Sequence, residues 1–319
     1  MSNTKIILTL LNIKKVSRKT ISKILKVTNF KGTNVNEIKE LFDMARKFVK
    51  RIPNPDIEEI QAAILKADIL IEKLLNTNIN CITILDDDFP DKLLNIQDPP
   101  VILFYKGNKK CIVDNKSVAI IGSRNATKHG IKVSERLGNI LGSKGFTIVS
   151  GLAKGCDEAA HYGCLAGKGR TIAVLPSSLD CIYPNSNKKL AERILKEDGC
   201  LVSEYAFGTK PMRGYFIERD RLESALSTGV IVIEATKDGG TMHTVNYALN
   251  QKKILACYKN DLYYGDSNQI EGNRNLIDNN CALPLSNKQD IELFIKNIFE
   301  LSKKEPIVGM AKEIQTTLF

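Results

Sequence analysis

Residues 118 to 130 read VAIIGSRNATKHG, a run of apolar and β-branched residues that breaks at Gly122-Ser123-Arg124 and then takes up a helical pattern. Strand, tight loop, helix is the opening unit of an α/β fold. A dinucleotide-binding loop would carry G-x-G-x-x-G at this point, with an acid after the second strand for a ribose hydroxyl. Here a single glycine is followed by serine and arginine, the second strand ends in Ser150-Gly151 without such an acid, and no Walker lysine motif is present. An arginine would crowd a pyrophosphate held by backbone alone, yet its guanidinium can fork onto a phosphate of an extended polymer.

Outward from this loop the same alternation repeats. SVAIIGS, FTIVSG, RTIAVLPSS, CLVSEY, GVIVIEA and KILACY are each short and continuously apolar, and helical patterns such as DEAAHYGCLAG, NKKLAERILKE and TMHTVNYALNQ separate them. Strands without alternation are covered on both faces, so the pattern predicts an α/β, Rossmann-like, doubly wound and mainly parallel sheet over 111–300. Ligands of such sheets bind at the carboxyl ends of the strands. Those ends are GSR, SGLAKGCD, PSSLDCIYP, SEYAFGTKP and EATKDGGT, rich in small residues and carrying Arg124, Lys154, Lys210 and Lys237. Backbone N–H groups, helix N-termini and cations converging in this way suit a phosphate-bearing ligand.

Before the sheet, residues 1–75 show apolar positions at helical spacing in IILTLLNI, RKTISKILKVT, NEIKELFDMARKFV and DIEEIQAAILKADILIEKLLN. A small helical domain of helix-hairpin-helix or SAM-like type is expected, with Lys15-Val16-Ser17 where such a hairpin usually has Gly-x-Gly. It serves either DNA contact or packing and partner binding. Residues 76–110 read as an ordered connector and 301–319 as a C-terminal tail. The net charge of +10 is concentrated at the start: residues 1–50 carry +9, residues 51–110 carry −3, and the rest +4. Either the lysines are merely solvated or the partner is a polyanion such as nucleic acid.

No apolar run reaches the roughly 18 residues that span a bilayer, so a cytoplasmic protein without membrane attachment is expected. The eight cysteines form no C-x-x-C pair and have no histidine cluster beside them. They are expected to be buried thiols, with no disulfide, no metal site and no cofactor.

Taken in order, VAIIGSRNATKHG, SGLAKGCDEAAH, RTIAVLPSSLDCIYPNSNKKL, LVSEYAFGTKP, FIERDR and VIVIEATKDGGTMHTVNYAL resemble the DprA/Smf family of DNA-processing proteins, and DDDFPDKLLNIQDPPVILFYKGN is similar to that family's preceding segment. The resemblance covers about 80–285. It implies a homodimeric, non-enzymatic, cytoplasmic protein that binds and protects single-stranded DNA and helps load RecA onto it in natural transformation (competence) or DNA recombination. It also implies DNA-binding residues. The family's G-S-R falls on Gly122, Ser123 and Arg124. Its S-G-L-A-x-G falls on Ser150, Gly151, Lys154 and Gly155. Its F-P-x-R-N-R falls on Phe216, Arg219 and Arg221, with Ile217 for proline and Asp220 for asparagine, and its S-G-S/T loop is partly matched at Gly239, Gly240 and Thr241 after the acidic Asp238.

Tyr205, Phe207 and Tyr215 stand near a strand end as candidate base-stacking platforms. An enzymatic alternative rests on Asp157, His161, Glu204 and Glu234, acids and an imidazole gathered at one sheet edge. No nucleophile accompanies a positioned base, so catalytic residues are expected to be none; a nucleotide-binding or nucleotide-hydrolysing Rossmann-like protein is the alternative. Finally, Gln315-Thr316-Thr317-Leu318-Phe319 resembles the Q-x-x-L-F pentapeptide that docks on the bacterial sliding clamp, the other reading being a tail packed on its own protein.

Overall fold

The computed structural model describes residues 2–28 and 34–304. Its contacts divide the chain into two compact units after Phe104. Residues 305–319, and with them the clamp-like Gln315, Leu318 and Phe319, lie outside the described residues.

In the first unit the amphipathic periods become helices α1 (Asn3–Asn12), α2 (Arg18–Val27), α3 (Val35–Phe48) and α4 (Ile57–Asn76), followed by β1 (Asn80–Thr83) and α5 (Asp91–Leu94). Each long helix starts where a short polar side chain satisfies a free N–H: Ser2, Ser17, Asn34 and Asp56 accept from the backbone of Lys5, Thr20, Glu37 and Glu59. Ile7, Leu10, Ile21, Ile24, Ile38, Phe42 and Ile60 supply the buried stripes.

Residues 76–104 of the expected connector fold with these helices. Asn3 donates through Nδ2 to the Leu85 carbonyl at 3.0 Å and to Asp86 at 2.7 Å, and the Arg18 guanidinium reaches Asp98 at 2.8 Å. Part of the N-terminal positive charge is therefore neutralised inside the unit. The hairpin between α1 and α2 turns at Lys15, whose φ of 60° lies in the left-handed region where glycine is the usual occupant. The backbone N–H of Lys14 donates to Glu59 at 2.9 Å, so this N–H of the turn is occupied by a side chain of the same unit.

β2 (Ile102–Gly107) spans the division point. After α6 (Lys110–Val113), the second unit runs β3 (Ser117–Ile121), α7 (Lys128–Ser143), β4 (Thr147–Ser150), α8 (Cys156–Ala166), β5 (Thr171–Val174), α9 (Lys188–Lys196), β6 (Cys200–Ser203), α10 (Arg213–Ala225), β7 (Gly229–Val232), α11 (Thr241–Asn250), β8 (Ile254–Tyr258), α12 (Asp261–Tyr264), α13 (Glu271–Asp278), β9 (Leu283–Leu285) and α14 (Lys288–Lys304). Within this unit the strand order is β6-β5-β4-β3-β7-β8-β9, every neighbouring pair parallel. Strands β3 to β7 are buried throughout, which is why their sequences show no alternation. Val118, Ile120, Leu141, Phe146, Ile148, Ile231 and Phe294 form the core beside the sheet.

The chain winds outward from β3 to β6 and then returns to β7 on the other side of β3. The carboxyl ends of β3 and β7 thus flank the topological switch point, where open α/β sheets hold their ligands. Beyond the expected βα units, β9 extends the sheet; three residues with a central proline leave little periodic signal in the sequence.

All eight cysteines are free, and Cys111, Cys156, Cys164, Cys200 and Cys257 are buried. Burial pushes the Cys111 thiol up to about 11 and those of Cys164 and Cys257 to about 12. Among the described residues no helix is long and apolar enough to cross a membrane.

Ile120 is fully buried in the central strand. Ile120→Ala is expected to cost about 2–5 kcal/mol through lost transfer energy and a cavity. The check is a lowered urea midpoint for the transition of the second unit.

Candidate nucleic-acid interface

The loop after β3 is held by the loop after β7. Ser123 donates its backbone N–H to the Glu234 carbonyl at 2.8 Å, and the Glu234 carboxylate accepts from the Thr127 N–H at 2.9 Å, the Thr127 hydroxyl at 2.5 Å and the Tyr264 hydroxyl at 2.6 Å. Thr127 in turn caps α7. The third loop closes on the same place. Gly155, with φ of 85°, lies so near that a Cβ there would meet the Ser123 carbonyl oxygen at 2.4 Å. Only glycine satisfies both that torsion and that approach.

Arg124 is exposed above this framework, with its guanidinium carbon 4.8 Å from the centre of the Phe216 ring, while Phe216 meets Tyr183 edge-on at 5.4 Å. A guanidinium resting on an aromatic face keeps its N–H edge free to turn toward an anion.

Gly122, Ser123, Arg124, Phe216, Arg219, Gly239, Gly240 and Thr241 line one cavity of about 620 Å³, together with Asn125, Asp157, Tyr183, Arg213, Ile217, Asp220, Glu223 and His243. Thr241 begins α11, whose positive end adds to the cations. Ser150, Gly151, Lys154, Gly155 and Arg221 are not among the lining residues. Lys154 is exposed, and the Ser150 hydroxyl is buried and donates to the Ile120 carbonyl at 2.7 Å. Gly151 gives room to an arginine, because a Cβ there would overlap Arg219 Nη1.

The two arginines expected from FIERDR are both buried and paired with carboxylates. Arg219 is 4% exposed; it pairs with Glu223 one turn away, lies 3.3 Å from Asp220 through Nε and donates to the Val174 carbonyl at 3.2 Å. Arg221, 2% exposed, forks onto Glu204 at 2.5 and 2.6 Å. Burial of a guanidinium requires such partners, and the acid between the two arginines belongs to that shell. Asp157, Asp220 and Glu223 surround the single Arg219, and burial raises all three carboxyls, partly offset by Arg219; Asp220 is pushed up to about 7. Three carboxyls about one guanidinium influence one another's titration.

Each residue of the enzymatic alternative has partners within the protein. His161 lies 2.7 Å from Thr171 through Nδ1; the Thr171 hydroxyl gives its proton to the Ile148 carbonyl, so the imidazole carries its hydrogen on Nδ1. Burial, reinforced by Arg219, lowers His161 to about 3 and keeps it neutral. Asp157 accepts from the Gly151 N–H at 3.2 Å, Glu204 holds Arg221, and Glu234 anchors the arginine loop. Tyr205 and Tyr215 stack on each other at 4.1 Å and, with Phe207, lie off the cavity lining. Among the described residues no group of three or more His, Cys, Asp and Glu is placed to hold a metal ion.

Arg213, Tyr183 and His243 reach the cavity without having been singled out in the sequence. Arg213 stands three residues before Phe216, the spacing that puts two residues on one helix face; this was the available signal.

The fold defines a Rossmann-like α/β protein with a cavity at the strand ends beside the topological switch point. The chain belongs to the DNA recombination-mediator protein A family, whose family model matches residues 80–296. It is 40% identical over 207 residues to protein Smf of Synechocystis, covering 64% of this chain and 51% of that one, so it spans about half the length of that relative. It is 39% identical over 209 residues to DNA processing protein DprA of Streptococcus pneumoniae, 66% of this chain and 72% of the relative. The crystal structure of the pneumococcal protein superposes with a TM-score of 0.73 at 29% identity, covering 92% of this chain and 98% of that one. DNA processing protein A of Helicobacter pylori, whose structure is described as showing a single-stranded DNA binding mode, gives a TM-score of 0.60 at 31% identity, covering 71% and 96%.

The position of Asp220 has a consequence for stability. Its folded value, about 7, exceeds the ordinary 3.8. Its favourable contribution is thus complete below about 3.8 and is lost as the pH rises to about 7. Asp220→Asn, which cannot ionise, is expected to melt higher than wild type above pH 7, by on the order of 5 °C, with the gap closing toward pH 4; thermal melts across this range read it.

Proposed function

We propose that the protein binds single-stranded DNA through the phosphate backbone, with Arg124 as the principal contact, and acts without catalysis as a mediator that protects the strand and helps load RecA during transformation or recombination. The observation that carries this reading is the exposed Arg124 guanidinium poised on Phe216 at a cavity that also presents Arg213, Gly239, Gly240 and the N-terminus of α11. Arg219 and Arg221, locked to carboxylates, act as internal struts. The single-stranded DNA described for the Helicobacter relative is the ligand this chemistry fits. A non-catalytic role is supported by the engagement of His161, Glu204 and Glu234 in holding loops and arginines. The working form is a homodimer in the cytoplasm.

Titration of oligo-dT at several salt concentrations tests the assignment. Arg124→Ala is expected to weaken binding and to reduce the slope of log affinity against log salt by about 0.7, one phosphate of a single strand. Arg221→Ala is expected to cost about 3–5 kcal/mol of stability by leaving Glu204 buried and unpaired, with the slope unchanged. Unaltered affinity and slope in Arg124→Ala would sink the placement of DNA on this loop.

For the tail we propose docking on the sliding clamp through Gln315, Leu318 and Phe319. Deleting 315–319 is expected to abolish capture by immobilised clamp while oligo-dT binding persists; capture that survives the deletion removes the clamp from the partners.

A further inference from the structure

Asp220 is a charge that a phosphate site should not contain, and its surroundings suggest what it serves. The residue is about nine-tenths buried and lines the cavity. One carboxylate oxygen lies 3.3 Å from Arg219 Nε, and the other has no protein partner among the described residues. Arg219 Nε itself is buried without a hydrogen bond. The same cavity is lined by Phe216 and Tyr183, two aromatic rings in edge contact, and the apolar Ile217. The cavity is therefore bipolar. Arg124, Arg213 and the Gly239–Thr241 loop offer positive potential and N–H groups, whereas Asp220 offers an unpaired acceptor beside aromatic surface.

A phosphate is repelled from the second pole. A base is not: unstacked bases of single strands are taken up by aromatic faces and hydrogen-bonded on their Watson–Crick edges. A carboxylate accepts only. Thymine meets it with one N–H between two carbonyl oxygens, and cytosine and adenine with an amino group beside a ring-nitrogen lone pair. Guanine presents two adjacent donors, N1–H and N2–H, and no acceptor between them.

We infer that Asp220 selects guanine, accepting from its Watson–Crick edge when the phosphate of the bound strand sits at Arg124. This rests on the proposed binding of single-stranded DNA at the same cavity and adds to it a preference at one nucleotide.

Fluorescence anisotropy at pH 8 and fixed salt, with an oligo-dT, the same oligomer bearing one central dG, and a third bearing deoxyinosine, which keeps N1–H and lacks the amino group, tests it. Wild type should bind the dG oligomer tighter than oligo-dT by on the order of tenfold, with deoxyinosine between. Asp220→Asn should lose that preference while binding oligo-dT more tightly, because a negative charge has left the cavity. A variant that merely damaged the site would weaken every oligomer, and thermal melts establish that it folds. At pH 6 the wild-type preference should fade as the carboxyl takes up a proton, the groups facing it being Arg219, Asp157, Arg124 and Glu223.

Equal binding of dG and dT oligomers by wild type, or a preference that persists in Asp220→Asn, overturns the inference. A preference for an Arg- or Lys-bearing peptide over the dG oligomer in competition does so too. Arg124→Ala separates this from the underlying reading: it should weaken dG and dT oligomers alike, and if it weakens neither, the phosphate placement fails independently of the base.

Discussion

Everything at the strand ends depends on the Glu234 carboxylate. It lies fully buried at the end of β7, and its oxygens accept the Thr127 N–H, the Thr127 hydroxyl and the Tyr264 hydroxyl. A buried carboxylate is tolerable only when such donors replace water, and here the donors belong to the loop that follows β3 and to α12. Satisfying one charge therefore positions the start of α7 and, through the Ser123–Glu234 backbone bond, the turn that carries Arg124. The residue that looked like a general base is the fastening of the loop. Gly155 completes the arrangement from the β4 side, where its left-handed torsion leaves the Ser123 carbonyl uncrowded.

A second constraint divides the cations by depth. Arg219 and Arg221 sit two residues apart on α10 and both are buried, so each needs its own carboxylates: Glu223, Asp220 and Asp157 for the first, Glu204 for the second. Such pairs return little net stability once desolvation is counted, but losing one partner is costly. They tie α10 to Val174 at the end of β5 and to Glu204 just after β6, and with α10 comes Phe216, on which Arg124 rests. The exposed arginine then has its rotamer freedom reduced before any ligand arrives, which lowers the entropy lost on binding.

The sheet was legible in the sequence because its strands are short, continuously apolar and separated by amphipathic helices, and that pattern has few other solutions. The order of strand ends then placed Gly122, Ser123, Arg124, Gly239, Gly240 and Thr241 around one cavity. What periodicity could not supply was depth. Nothing in the letters of FIERDR shows that Arg219, while lining the cavity, is buried against Val174 and Glu223; that depth comes from the packing of α10. β9 escaped because three residues with a proline carry no period, and the connector because its ties to the helices, Asn3 to Asp86 and Arg18 to Asp98, run between positions more than 75 residues apart.

Asp220 belongs to the carboxylates around Arg219. It is one of three acids beside the single Arg219 guanidinium, and burial raises the carboxyls of all three while Arg219 lowers them in part. Asp157 is tied to the Gly151 N–H and Glu223 to Arg219 and Thr244, which leaves Asp220 the acid with an oxygen unclaimed among the described residues, and it lines the cavity. Whatever enters there must answer that oxygen with a donor or tolerate a proton on it. A strand that brings only phosphate favours the protonated carboxyl, since the added negative charge disfavours ionisation, whereas a base edge rich in N–H groups favours the carboxylate. On the proposed binding of single-stranded DNA, the protonation state of one buried side chain is thus coupled to which part of a nucleotide enters the cavity.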